Sequence, residues 1–356
     1  MKEPEGHRRS IVGRGAAGNP KNRFERIEVE SEPEAPDAEE SGPETVYLRD
    51  SSRSIIARND SPDIGFDTSI NPYRGCSHGC VYCFSRPTHE YLGFSAGLDF
   101  ESRILIKENA PELLRTELSS PRWEPQVVAM SVATDCYQPV EKKLRLTRRC
   151  LEVIVEFRNP VAVVTKNHLV TRDIDLLSEL AHCDAAVVMV SLTTLDDDLR
   201  RVMEPRTSRP ARRLAAIEAL AQAGIPVGVM VAPVIPGLND HEIPALVSAA
   251  TEAGASFALY TPVRLPHAVA PLFEDWLERH FPERKEKVLN RIRSIRGGKL
   301  NDPRFVTRMR GEGIFAKQIG QLFSISCRRA GIGEKRPPKL STAAFRRAGP
   351  QPTLFD

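Results

Sequence analysis

The chain has 356 residues, with 50 Lys and Arg against 47 Asp and Glu and a hydrophobic share of 41%. That suffices for one core of about 200–250 residues with tails, or for two modest domains. No apolar run reaches the roughly 18 residues that a membrane-spanning helix needs, and MKEPEGHRRS at the start lacks the apolar stretch of a secretory signal. Seven cysteines, odd in number and mostly scattered, do not read as an extracellular disulfide framework. The expectation is a cytoplasmic protein whose cysteines are free thiols or metal ligands.

In chain order, residues 1–45 are rich in Gly, Pro, Glu and Arg and nearly free of large apolar side chains, the composition of a disordered segment. A core domain is expected over 46–285. Continuous β-branched runs predict strands at Gln126–Ala133, Val161–Thr165, Ala185–Leu192, Val227–Ala232 and Phe257–Thr261, each reading as buried on both faces of a parallel sheet. Helices are predicted between them at Ala110–Leu118, Leu146–Phe157, Arg172–Ala181, Ala211–Ala223, Ile243–Ala253 and Leu272–Phe281. Pro111 and Pro210 sit near helix starts, and Gly224 and Gly254 near helix ends. Strand–helix repetition gives an α/β fold, either a full or partial barrel or a doubly wound sheet. Active residues gather at the C-terminal ends of its strands.

Charge is spread unevenly. Glu28 to Asp50 holds nine acidic residues and one basic, Arg49, whereas Arg291 to Arg347 holds fifteen Lys and Arg against Asp302, Glu312 and Glu334. A basic end of this kind can bind DNA or RNA by releasing counterions, or it is a solvated tail. Within a basic capping segment at 286–330, glycines and arginines surround Phe305 over residues 297–313. This predicts a strand or loop over the barrel mouth, followed by a helix from about Phe315 to Phe323. Its composition suits phosphate binding with a stacking aromatic, or an ordinary basic cap. The tail 331–356, with Pro337, Pro338, Pro350 and Pro352, reads as disordered. At its end Gln351, Leu354 and Phe355 resemble short peptides that dock on the bacterial sliding clamp.

The sharpest motif is Cys76-Ser-His-Gly-Cys80-Val-Tyr-Cys83 in a Gly-rich loop. Three thiolates so spaced serve one inorganic centre, an iron–sulfur cluster or zinc. A structural zinc takes four protein ligands, and Cys136, Cys150, Cys183 and Cys327 supply no second pair. Cys150 and Cys183 lie in or beside apolar helical patterns, as core thiols do. His78 reads as a loop residue without a ligand role.

C-x3-C-x-aromatic-C near the first strand of such a barrel resembles the signature of the radical S-adenosylmethionine (SAM) superfamily. The blocks INPYRGCSHGCVYCFSRP, SVATDCYQPVEKK, VVTKN, VVMVSLTTLDDDLRRVMEPRTSRP and FALYTPVRLP are most similar to its spore photoproduct lyase-like subgroup. The resemblance implies a partial (β/α)6-type barrel, a 4Fe–4S cluster on Cys76, Cys80 and Cys83, and one-electron cleavage of SAM to a 5′-deoxyadenosyl radical. It also implies a reducing partner such as flavodoxin or ferredoxin. Carried over by position, Tyr82 would contact the adenine and Thr134 or Asp135 would hydrogen-bond SAM. Lys166 would face the methionine carboxylate and Ser191 the ribose, with Arg206 a further carboxylate or ribose contact.

The chain departs from the lyase at two places. Met130–Asp135 contains no hydrogen-donating thiol, and the aromatic after Cys83 is Phe84, which has no phenolic hydrogen. Cys136 is either a displaced hydrogen donor or a packed thiol. The reading from sequence is a radical SAM enzyme acting on nucleic acid, by base repair or modification. Two alternatives stand beside it: radical SAM chemistry on a peptide or small molecule, and a nucleic-acid-binding iron–sulfur redox sensor without SAM chemistry.

Overall fold

Side chains that branch at Cβ favour extended backbone, and the computed structural model places all five predicted runs in one sheet. It describes residues 11–24, 43–333 and 336–347. The strands, in chain order, are β1 (Val46–Arg49), β2 (Ile56–Arg58), β3 (Thr68–Ile70), β4 (Tyr73–Arg74), β5 (Arg103–Ile106), β6 (Val128–Met130), β7 (Val161–Thr165), β8 (Ala186–Ser191), β9 (Val227–Val234) and β10 (Phe257–Pro262). The main sheet has the order β10-β9-β8-β7-β6-β3-β2; β3 and β6 to β10 are parallel, and β2 is antiparallel at one edge. This is the expected α/β arrangement of six parallel strands. β1, β5 and β4 form a small second sheet. The first strands escaped the sequence reading because two to four residues carry no usable periodicity.

The strands are not buried equally on both faces. One face carries Ile70, Val128, Met130, Val161, Val163, Val188, Val190, Val227 and Val229, all packed against the helices Leu146–Phe157, Ile174–Ala181, Pro210–Gln222 and Ile243–Glu252. Register puts Ala162, Val164, Met189, Met230 and Leu259 on the other face, and these are only partly buried. Small or flexible side chains there leave a hollow interior that opens toward the strands' C-terminal ends. Its other end is filled by Phe257, whose ring lies over Gly228; a Cβ on that glycine would sit 2.2 Å from the ring.

Two further expectations need correction. Residues 11–24, inside the segment read as disordered, pack on the cysteine loop: the Gly15 and Ala16 N–H groups donate to the Glu101 carboxylate at 3.0 and 2.9 Å. Part of the tail is held as well. Phe345 stacks on Phe157, and the N–H of Ser341 donates to the Asp184 carbonyl at 2.9 Å. Both segments gain order from backbone hydrogen bonds to the core, which composition does not encode. Gln351, Leu354 and Phe355 lie outside the described residues.

Over 297–313 there is no strand. Gly297 and Gly298 turn the chain with φ of +61° and +83°, a single helical turn forms at Thr307–Arg310, and a helix longer than expected runs over Gly313–Arg329. No helix among the described residues is long and apolar enough to cross a membrane.

Candidate active site and metal centre

Beyond β4, at the C-terminal end of the parallel strands, the chain enters the cysteine loop. Gly75 and Gly79 take φ of +78° and +70°, and a Cβ on Gly79 would lie 2.7 Å from Glu101 Oε2. The loop backbone is anchored on three sides. Cys76 N–H donates to the Phe100 carbonyl at 2.9 Å, Val81 N–H to the Met203 carbonyl at 3.1 Å, and Ser77 N–H to Gln138 Oε1 at 3.0 Å. Arg86, fully buried, donates twice to the Cys80 carbonyl, at 3.0 and 2.9 Å, and pairs with buried Glu101.

Cys76 and Cys80 are buried and Cys83 is partly buried. Burial pushes the Cys80 and Cys83 thiols up; Glu204 and then the neighbouring thiolates push Cys80 further, and Cys76 pushes Cys83. The three are therefore electrostatic neighbours. This donor set fits a polynuclear cluster. Cysteines on different corners of a cube surround a volume, and the irons neutralise thiolates that burial would otherwise protonate. It does not fit a tetrahedral zinc, which needs four donors at one point.

Beside the loop lies a buried charge hub. Glu204, just past the helix Asp197–Met203, accepts from Thr193 Oγ1 at 2.6 Å and from the Tyr82 hydroxyl, and pairs with Arg213 and, at 3.1 Å, with Lys166. Burial alone would raise its carboxyl; Arg213 and Lys166 outweigh that and hold it far below the usual carboxylate range. Lys166 also donates to Thr193 Oγ1 at 3.0 Å and to the Ala232 carbonyl at 3.2 Å. Its ammonium, 5.6 Å from the Tyr82 ring centroid, thus spans from the end of β7 to β9.

The six predicted cofactor residues do not all face the hollow. Tyr82 and Lys166 meet through Glu204, and Ser191, last in β8, lies on the inner face in register with Met230. Thr134 donates its hydroxyl to the Tyr73 carbonyl at 3.1 Å. Asp135 is already engaged: it accepts from Thr165 Oγ1 at 2.8 Å, Lys166 N–H at 2.7 Å and Tyr137 N–H at 2.9 Å, and faces His78 Nδ1 at 3.4 Å. It positions the loop after β7. His78 is buried; burial would lower its pKa, but Asp135 and Cys76 hold it up at about 10.

Arg206 turns to the N-terminal segment, donating to the Gly13 carbonyl at 3.0 Å and Thr45 Oγ1 at 3.3 Å. Cys136 is fully buried in the helix-side core, where burial raises its thiol strongly; of its two readings, this placement is the packed one. Glu204, Thr193, Arg213 and Gln138 were missed. Three of them, Thr193, Glu204 and Gln138, stood in the VVMVSLTTLDDDLRRVMEPRTSRP and SVATDCYQPVEKK blocks, but a buried hydroxyl, carboxylate or amide has no periodic signature.

Comparison with known proteins follows this geometry. The model of the radical SAM superfamily matches residues 70–250. A protein of uncharacterised function from Mycobacterium tuberculosis is 35% identical over 281 residues, covering 78% of this chain and 79% of its own. Another, from Methanocaldococcus jannaschii, is 28% identical over 222 residues, or 62% and 79% of the two chains. The radical SAM Nalpha-GlyT isomerase of Pseudomonas phage M6 is 27% identical over 216 residues, 60% of this chain and 43% of that one. Among solved structures, spore photoproduct lyase complexed with dinucleoside spore photoproduct superposes with a TM-score of 0.56 at 17% identity, covering 81% and 80%.

Proposed function

The chain belongs to the radical SAM superfamily, and from that premise we propose that this enzyme modifies or repairs a nucleic-acid base. The observation that carries the chemistry is the set of three cysteines on a rigid loop at the open end of a hollow six-strand barrel. Cys76, Cys80 and Cys83 would hold the 4Fe–4S cluster that the family implies. Such a cluster supplies one electron to SAM, which releases a 5′-deoxyadenosyl radical.

The chain's own residues shape that site. Tyr82 and Ser191 border the hollow where SAM would lie. Glu204 fixes the Tyr82 hydroxyl and the Lys166 ammonium in one geometry, so that a carboxylate approaching Lys166 meets a held cation. Met189, Met230 and Leu259 give the hollow beyond an apolar lining.

Two observations support nucleic acid over a peptide. The segment from Arg291 onward is strongly basic. A structural neighbour holds a dinucleoside. Docking on a sliding clamp through Gln351, Leu354 and Phe355, and reduction by a flavodoxin or ferredoxin, complete the proposal. The redox-sensor alternative gives way to the enzyme.

Anaerobic reconstitution with iron and sulfide, then dithionite and SAM, tests the reading by chromatography of 5′-deoxyadenosine. The wild type is expected to form it and Cys80→Ala to form none. Yield that rises with added oligonucleotide supports the nucleic-acid part. Equal yields with and without DNA and RNA, alongside stimulation by peptide, would replace it.

A further inference from the structure

β10 and β2 are the free edges of the main sheet, and the segment 302–310 spans the gap between them. Buried Arg296 ties that segment to β10, donating to the Thr307, Arg308, Pro262 and Val263 carbonyls at 2.7–3.0 Å. On the other side Asp63, between β2 and β3, accepts from Arg308 Nε at 2.5 Å and from Val306 N–H at 2.6 Å.

Between this bridge and the cysteine loop lies Arg264, two residues beyond β10. Its guanidinium carbon is 4.5 Å from the centroid of Phe84, the residue after Cys83, and one terminal nitrogen is 3.5 Å from Met309 Sδ, a weak acceptor. Among the described residues it has no hydrogen-bonded carboxylate or carbonyl. The neighbouring arginines differ: both terminal nitrogens of Arg296 are taken by carbonyls, and Arg308 is paired with Asp63. A partly buried guanidinium whose strong donors are unused is built to receive an anion from outside.

The surroundings narrow that anion's identity. Phe84 is 47% exposed and Phe305 54% exposed, and each has a guanidinium over its ring, Arg308 standing 4.5 Å from the Phe305 centroid. A carboxylate ligand would use Arg264 and leave both rings wet. A strand of unstacked nucleotides uses both features, its phosphate on the guanidinium and its bases on the ring faces. A base on Phe84 would lie next to the cysteine that ends the cluster motif.

We propose that Arg264, with Phe84 and Phe305 as stacking faces, takes a backbone phosphate of an unstacked nucleic-acid strand at the open side of the barrel. This rests on the nucleic-acid reading above. The test is fluorescence anisotropy of the full reconstituted chain with labelled single-stranded DNA and RNA, their duplexes and an acidic peptide, over a salt series. The variants are Arg264→Gln, Arg264→Lys, Phe84→Ala and, on a distant surface, Arg122→Ala, each checked for an unchanged melting midpoint.

Arg264→Gln should weaken single-strand binding about tenfold and lower the salt slope by about one. Arg264→Lys should recover most of that slope. Phe84→Ala should cost about tenfold with the slope intact, and Arg122→Ala should bind as wild type. Wild-type binding that Arg264→Gln leaves unchanged in affinity and slope would overturn this site while the nucleic-acid reading stands. No binding of any nucleic acid by the wild type would overturn both. Peptide binding that depends on Arg264, without oligonucleotide binding, would overturn the ligand class.

Discussion

Two irregular segments close the barrel, and they treat charge in opposite ways. Residues 11–24 lie over the cysteine loop and are held on a buried ion pair: Glu101 takes two backbone N–H groups and the Arg86 guanidinium, and both of these side chains are fully buried. The bridge at 302–310 exposes Phe305 and Arg304 and neighbours the unpaired Arg264. A buried ion pair whose carboxylate is fully engaged holds a loop in place, whereas a guanidinium with no carboxylate or carbonyl partner is available to a ligand. The contrast separates a strap from a binding edge, although both are short, basic and largely irregular.

That contrast can be broken by substitution. Glu101→Ala would strand a fully buried arginine beside Cys80, and a loss of about 3–5 kcal/mol in urea unfolding is expected. A change below about 1 kcal/mol would mean that the strap does not anchor the loop.

A pH titration probes the same region. His89, packed between Phe94 and Phe100, has its pKa lowered by burial to about 4. Its contribution is complete above the ordinary histidine value and is lost as pH falls toward 4, on the order of 3 kcal/mol over that window. His89→Phe should flatten that part of the pH–stability curve, and an unchanged slope would contradict the burial argument.

Gly15→Ala is next in size. Its Cβ would lie 1.9 Å from the Gly79 carbonyl oxygen, so the strap must lift. A cost of about 1–3 kcal/mol and faster tryptic cleavage at Arg14 or Arg23 are expected. Protection equal to wild type would show that the strap can shift sideways instead.

The smallest effect belongs to the bridge. Arg304 is 61% exposed despite its pairs with Asp302 and Glu312. Arg304→Ala should move Tm by no more than about 2 °C. A larger drop would give the bridge the same structural weight as the strap.

Much of this was legible in the chain itself. Val161–Thr165 and Leu146–Phe157 stand where their patterns put them, because long apolar runs at strand or helix period leave little choice of element. Cys76, Cys80 and Cys83 stand together on one loop, as their spacing along the chain requires. Side-chain type and spacing along the chain therefore specified the α/β class and five of its parallel strands.

Tertiary structure decided which groups meet. The hollow exists because register aligns Ala162, Val164, Met189 and Met230 on one face, a property of pairing that no single strand carries. Glu204 joins Tyr82, Lys166 and Arg213 across more than one hundred residues of chain, and Asp135 turns out to hold His78 and the β7 loop. Strap and bridge are both basic in sequence. Only the positions of their charges relative to partners, set by the folding of distant segments together, made one a clamp on the cysteine loop and left Arg264 beside the other with no hydrogen-bonded carboxylate, the nearby Asp63 being held by Arg308.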